Sequence, residues 1–308
     1  MTCFTLPWQL IMSLQNEITS VITLRQSSSK INSILFKDKV LLALDEKNIL
    51  HSFGSLFGDG KCTHETVRKE AHYIFLTEND LLEVWEGKVI ASGQPILEGV
   101  SKLSYTNPTL FNGLVIAPAD TDDGKVLVLH TEQKQTVLID SGAGMLLGLA
   151  STSEFLITLN DDGNITLFDS ELNVIGKEKT TVPGACCIAA DASHIIVGSA
   201  SGFLLHYSII DGSINLASKK RYANIISKVH LNLPFVFVAF SNGTFHVYEL
   251  GKFEEPLFIA EHTPATAFLN INDCMIPHWY KQNCVYNKAT VVGCQNGIIR
   301  IIGLSELY

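Results

Sequence analysis

The sequence predicts an all-β protein, a seven-bladed β-propeller whose last blade is closed by the N-terminal strand. The main observation is the stretch at 155–169, where an apolar strand runs into a polar turn that ends at Gly163 and the aromatic Phe168 follows five residues later. Asp-Gly and Asn-Gly turns supply the positive φ that tight hairpins require. The same frame recurs at 124–129, 202–207, 243–248 and 297–302.

The spacing of these copies predicts the number of blades. Their glycines mostly lie about 40 residues apart, and a period near 40 with one strong hairpin per repeat is typical of a four-stranded propeller blade. A degenerate copy lies at 80–85 and a fainter one at 47–52. A chain of 308 residues therefore accommodates seven blades.

Both ends of the repeat region are expected to share one blade. An apolar strand at 18–25 follows an N-terminal extension at 1–17, and the last repeat reaches only its third strand, at 298–304. Because an open ring would leave unpaired strand edges, the strand at 18–25 is expected to complete the last blade. The propeller is then one domain at 18–308, with blades that start near residues 31, 64, 101, 144, 185, 225 and 264.

The seventh blade departs from the period. Its glycine, Gly297, lies 54 residues after Gly243, and insertions in repeat proteins map to loops that often lie on the binding face. Aromatic side chains on such a loop are of the type that dominates protein interfaces. The candidate partner-binding residues are Asn107, on the loop before blade three, and Met275, His278, Trp279, Tyr280 and Tyr286 in the insertion. The other interpretation is that the insertion folds back and buries its own aromatics.

The residues at the end of the third strand of each repeat resemble those of a known family. It reads Phe168-Asp169 in the clearest copy and Trp85-Glu86, Tyr207-Ser208 and Tyr248-Glu249 in others. The repeat resembles the WD40 repeat, whose third strand ends in Trp-Asp after such a turn. The fragments that begin at His64 and His262 resemble the Gly-His start of a WD40 blade. The resemblance implies structural roles for His64, His262, Trp85, Phe168, Asp169, Tyr207 and Tyr248.

Composition excludes several functional classes. The net charge of −9 argues against nonspecific attraction to phosphate backbones, so direct nucleic-acid binding is not expected. The basic cluster at 219–221 is interpreted as a solvated loop. Seven irregularly spaced cysteines indicate reduced thiols in the cytosol or nucleus. No apolar run approaches the roughly 20 residues that cross a bilayer, so no membrane insertion is expected.

The sequence carries no recognisable catalytic motif. It has no Gly-x-Ser-x-Gly elbow, no Walker loop and no His-Glu-x-x-His. Cys274, His278 and Cys284 have ligand chemistry but match no zinc module, so no metal is expected. The strands predicted to line the channel, at 31–36, 145–150 and 186–190, are almost wholly apolar. We therefore expect a protein that is not an enzyme, with no cofactor and no small-molecule substrate.

The WD40 resemblance implies a protein–protein interaction scaffold. The expected role is that of a subunit of an intracellular multiprotein complex, in the nucleus or cytoplasm, whose partners are other protein subunits. Binding would use the loops of the propeller faces and the insertion in blade seven. The alternative is a propeller enzyme or a small-ligand binder that uses the central channel.

Overall fold

Seven antiparallel sheets of four strands each form a ring in the computed structural model, which confirms the predicted fold class. Each sheet is one blade, and its strands are called a to d from the channel outward. The structure describes residues 18–25, 29–37, 40–54, 64–67, 70–77, 80–101, 106–121, 124–130, 135–261, 264–272 and 288–304.

The strands follow one another along the chain as a repeated a, b, c, d meander. In the described residues they are β1 Ile18–Arg25, β2 Ile31–Lys37, β3 Val40–Asp45, β4 Ile49–Phe53, β5 His64–Val67, β6 Tyr73–Leu76, β7 Leu81–Trp85, β8 Lys88–Ala91, β9 Gln94–Glu98, β10 Thr109–Phe111, β11 Leu114–Pro118, β12 Lys125–His130, β13 Gln135–Asp140, β14 Leu146–Ser151, β15 Leu156–Asn160, β16 Asn164–Phe168, β17 Val174–Lys179, β18 Ala185–Ala190, β19 His194–Ser199, β20 Phe203–Ile210, β21 Ser213–Arg221, β22 Ile226–Asn232, β23 Phe235–Phe240, β24 Phe245–Glu249, β25 Phe258–Ala260, β26 Ala265–Asn272, β27 Lys288–Cys294 and β28 Ile298–Leu304.

The ring is closed by the two ends of the chain, as predicted. The last blade has the strand order β1-β28-β27-β26, so its outer strand comes from the N-terminal side. β1 runs antiparallel to β28, with Val21 opposite Ile302 and Arg25 opposite Ile298. The pairing satisfies the edge of β28, which would otherwise stay open.

Two blades start later than the sequence spacing predicts. The strand His64–Val67 pairs with β4 as the outer strand of blade one, whereas the prediction placed residue 64 at the start of blade two. Blade two instead begins at β6 and has a fourth strand, β9. Blade three begins at β10, after the predicted position near residue 101.

The core lies within and between neighbouring blades. All side chains of the b strands β15 and β23 are buried, while the outer strands β13 and β17 are largely exposed. One apolar cluster joins Ile157 and Leu159 of blade four to Ile195 and Val197 of blade five. Each blade therefore buries its apolar faces against its neighbours, which explains the high apolar content.

A glycine allows close packing where blade seven meets blade one. A Cβ atom on Gly293 of β27 would lie 2.7 Å from Ile31 Cγ2 and 2.8 Å from Ile34 Cδ1. Real Cβ atoms do not approach that closely, so the side chains of β2 occupy the space that a larger residue would need. The last blade and the first thus meet at a position that requires glycine.

Replacement of Gly293 by alanine is expected to destabilise this junction. Because the methyl group overpacks a closed core, we expect Gly293→Ala to lower the free energy of unfolding by about 1–3 kcal/mol. Chemical denaturation would measure it. In an Ile31→Ala background the same change should cost clearly less, because the nearest obstructing atom, Ile31 Cγ2, is gone. Equal costs in the two backgrounds would contradict this account.

Candidate functional site

The loops of the ring form two faces, and the predicted binding residues do not share one. The d–a face is made by the b–c turns and by the connections from each d strand to the next a strand. The a–b face is made by the a–b and c–d loops.

Asn107 is exposed on the d–a face, just before β10. The strands on either side of the insertion, β26 and β27, meet the a–b face at Asn272 and Lys288. The insertion residues Met275, His278, Trp279, Tyr280 and Tyr286, and also His262, lie outside the described residues.

Three repeat aromatics occupy matching places in the core. Phe168, Tyr207 and Tyr248 lie on the c strands of blades four, five and six and are at most 1% exposed. The acid after Phe168 acts locally. Asp169 Oδ1 accepts hydrogen bonds from the backbone N–H groups of Glu171 (3.0 Å) and Asn173 (2.8 Å). Asp169 thus stabilises the c–d turn.

Trp85 does not take the equivalent place. It ends β7, which is the b strand of blade two, whereas the repeat pattern aligned it with residues on c strands. Its side chain is half-buried, and its indole Nε1 donates a hydrogen bond to Glu83 Oε2 at 3.0 Å.

A buried histidine in blade one forms a network that the sequence did not indicate. His51, on β4, is 2% exposed and has Nε2 3.2 Å from Asp45 Oδ2 and Nδ1 3.1 Å from Glu65 Oε1. The other oxygen of Asp45 accepts hydrogen bonds from the backbone N–H groups of Lys47 and Ile49, both at 2.9 Å. The network connects the b–c turn to the outer strand β5. The one feature of the sequence that could have indicated this network is Asp45, the acidic residue at the first position of the turn.

The basic cluster at 219–221 is not a loop, which corrects the prediction. Its residues end the outer strand β21. Lys219 Nζ lies 4.7 Å from the centroid of the Phe203 ring, and Arg221 Cζ lies 5.4 Å from it. Lys220 forms an ion pair with Glu254. These cations cover an aromatic ring and pair with an acid, as side chains of a structured surface do.

Polar side chains lie on the innermost strands of two neighbouring blades, the a strands of blades six and seven. This polar strip consists of Lys228, His230 and Asn232 on β22 and of Thr266 and Asn270 on β26. Lys228 Nζ donates to the carbonyl oxygen of Thr266 at 2.7 Å. His230 Nε2 lies 2.7 Å from Asn270 Oδ1, and Asn270 Nδ2 donates to the Leu231 carbonyl at 2.9 Å. The prediction of an apolar wall rested on three other strands and does not extend to these two blades.

The orientation of Asn270 determines the proton on His230. Because Asn270 Nδ2 donates to a carbonyl, the oxygen faces the ring, and Nε2 of His230 must carry the hydrogen. Burial lowers the pKa of His230 to about 4, against a hydrogen bond to Asn270 that favours the charged form. Burial also lowers the pKa of Lys228 to about 8. The strip thus holds a neutral histidine and a lysine that titrates near pH 8.

Cavities open at both ends of this strip. One of about 270 Å³ lies on the d–a face beside Lys30, Lys228 and Thr266. Another of about 370 Å³ lies on the a–b face and is lined by residues that include Asp191, Asn232 and Asn270. Throughout the described residues, no three His, Cys, Asp or Glu side chains are grouped so that they could hold a metal ion. The same residues include no helix of the length and apolarity that spans a membrane.

Comparison with known proteins supports the architecture. The chain is similar to the crystal structure of the computationally designed Ika8 protein, with a TM-score of 0.63 and 12% sequence identity over 91% of this chain and 98% of that one. In all, 1568 solved chains match, so the likeness identifies a widespread fold and not a particular function. Neither a protein-family model nor a curated protein matches the sequence. The comparisons and the ring of blades together establish a seven-bladed β-propeller.

Loss of His51 is expected to destabilise blade one. His51→Ala leaves the buried Asp45 without its side-chain partner, and we expect a loss of about 2–4 kcal/mol in the free energy of unfolding, measured by denaturation. The matched control is Glu65→Gln, because Glu65 is 57% exposed and should contribute less than about 1 kcal/mol. A His51→Ala effect no larger than the control would show that the network is not structural.

The lowered pKa of Lys228 predicts a specific dependence of stability on pH. The unfolded chain binds this proton more tightly than the folded chain, so between about pH 8 and the ordinary lysine value the folded state gains stability as pH rises. The free energy of unfolding of the native protein, measured relative to that of Lys228→Met, should therefore rise across this window. Since all other groups are shared, a flat difference would contradict the assignment.

Proposed function

We propose that this chain is a non-catalytic interaction scaffold of the WD40 type and a subunit of an intracellular multiprotein complex. The observation that carries the proposal is the closed ring, in which β1 completes the blade of β26 to β28. A closed ring has no free blade to pair with another chain, so it presents a rigid body with two faces built from loops. Such a surface suits the binding of several protein partners at once.

The structural roles of the histidine and acidic side chains support a non-catalytic function. His51 is buried between two carboxylates, and Asp169 stabilises a turn. His194 Nδ1 lies 3.1 Å from Asp191 Oδ1, within the same a–b turn. In the described part of the chain, these histidine–acid pairs serve local structure, and the residues around them account for their hydrogen bonds.

The proposed binding surfaces lie at both ends of the ring. The insertion of blade seven is attached at the a–b face and carries Trp279 and Tyr280 in its sequence. Asn107 is exposed on the opposite face. Two separated surfaces fit a subunit that bridges partners, since each face can be occupied without blocking the other.

A second candidate function is supported by the polar strip. Lys228, His230 and Asn270 place hydrogen-bonding groups on the inner wall beside two cavities. A channel of this kind could hold a small polar ligand. The scaffold remains the first proposal, because His230 and Asn270 already form a hydrogen bond with each other.

Affinity purification of the tagged protein tests the scaffold. We expect a reproducible set of co-purifying subunits, identified by mass spectrometry, and loss of at least one of them with Trp279→Ala plus Tyr280→Ala, because tryptophan and tyrosine are enriched among the residues that carry most of the binding energy at interfaces. The control is Ile175→Ala plus Ile210→Ala: Ile175 on the outer strand β17 of blade four is 41% exposed, and Ile210 at the end of the c strand β20 of blade five is 59% exposed.

The outcomes separate the alternatives. Retention of every subunit by the insertion variant would exclude the insertion as the interface. Loss with the control variant would place the interface on the circumference. Recovery of a monomer without partners would contradict the scaffold proposal and leave the channel as the site of function.

A further inference from the structure

The cavity on the d–a face is a basic pocket, named here by its residues Lys30, Ser227, Lys228, Thr266 and Gln295. Its volume is about 270 Å³. It lies where the a strands of blades six, seven and one come together, at the mouth of the channel. Lys30 immediately precedes β2, and Lys228 belongs to β22. Two ammonium groups therefore reach one pocket from different blades.

Neither ammonium is neutralised by an acid within the described residues. Lys228 Nζ donates one hydrogen bond, to the Thr266 carbonyl at 2.7 Å, which leaves its two other hydrogens for a further acceptor. The carboxylate of Glu46 lies beside Lys30, but it accepts from the backbone N–H of that residue, at 3.3 Å. Thr266 itself donates to the carbonyl of Ile31 at 2.6 Å, which fixes the wall of the pocket.

The other titratable groups around Lys228 do not supply the missing negative charge. The hydrogen bond that the Cys187 thiol donates to Cys186, together with burial, holds the pKa of Cys187 well above its ordinary value, so this thiol stays neutral. The same bond lowers the pKa of Cys186, whose thiol lies 3.2 Å from the Ile226 carbonyl and donates to it. His230, two residues along β22, is neutral above about pH 4 because it is buried. Lys30 adds positive charge that disfavours protonation of Lys228.

We propose that the basic pocket binds an anionic group, the carboxylate or phosphate oxygens of which accept charge-assisted hydrogen bonds from Lys228 and Lys30. The exposed side chain of Gln295 lines the rim and supplies a neutral donor, whereas the hydroxyl of Ser227 already donates to the Ala239 carbonyl at 3.1 Å. The anion is either an acidic group of a bound protein subunit, in which case the inference deepens the scaffold proposal, or a free small anion in the channel mouth.

Binding of an anion is coupled to the proton on Lys228. A negative charge beside the amine favours its charged form and raises its pKa. The complex therefore takes up a proton where the free protein is partly deprotonated. Affinity for the anion should weaken as pH rises through about 8, the pKa of the unoccupied pocket.

The test uses inorganic phosphate and, separately, acetate, with sodium chloride added to keep the ionic strength constant. Thermal unfolding of the full chain is followed at pH 7 as each anion is titrated. A ligand that binds the folded state raises the midpoint with concentration. We expect this rise in the native protein and in Lys252→Met, which removes an exposed cation from the c–d loop on the opposite face.

Two variants remove the pocket in different ways. Lys228→Met deletes the amine, and Gln295→Glu places a carboxylate of nearly the same shape at an exposed position on the rim, where folding should be unaffected. Both should lose the anion-dependent rise, and the native protein should lose most of it at pH 9. No rise in the native protein, or an equal rise in Gln295→Glu, would overturn the proposal.

A competition experiment identifies the source of the anion. Subunits retained on the tagged native protein are washed with phosphate or with sodium chloride of the same ionic strength. If phosphate releases a subunit and sodium chloride does not, and if Gln295→Glu also loses that subunit, the pocket binds an acidic group of a partner. Retention in both washes assigns it to a free anion. A protein that binds phosphate but has no partners would contradict the scaffold proposal and would still support anion binding in the pocket.

Discussion

The antiparallel pairing of β1 with β28 is the constraint on which the rest of the structure depends. Every blade buries its apolar faces against two neighbours, so an incomplete last blade would expose the sides of both blade six and blade one. The pairing joins residues near 21 to residues near 302. It converts a row of similar sheets into a closed body in which each junction supports the next. The glycine contact between Gly293 and Ile31 shows how tightly that junction is built.

The repeat period predicted the ring because hairpin chemistry is local. A tight turn needs glycine or asparagine at a fixed place, and this requirement is visible in the sequence at Gly163, Gly202, Gly243 and Gly297. The signal does not say which connection of a blade carries the turn. In blade two the short turn at Thr77 and Asp80, where Asp80 N donates to Thr77 Oγ1 at 2.9 Å, links strands a and b. Trp85 was therefore aligned one strand too far along.

The polar strip could not be predicted for a different reason. His230 and Asn270 are 40 residues apart, and their contact exists only because two a strands lie side by side in the ring. Lys228 looks like an ordinary strand lysine in the sequence, and its environment comes from Thr266 and Lys30 of other blades. Contacts between side chains of neighbouring blades are set by the curvature of the ring and cannot be predicted from local sequence. The residues of a hairpin turn are adjacent in the chain and can be.

The closing strand also sets the order in which the protein can be completed during synthesis. A ribosome adds about 5–20 residues per second, so β1 leaves it roughly 15–60 s before its partner β28 exists. During that interval an apolar strand, Ile18–Arg25, has no native neighbour to cover its edge. A cell that makes this chain must keep β1 from pairing with strands of other nascent chains. The edge of β1 is covered only after the last blade has been synthesised and β28 has paired with it.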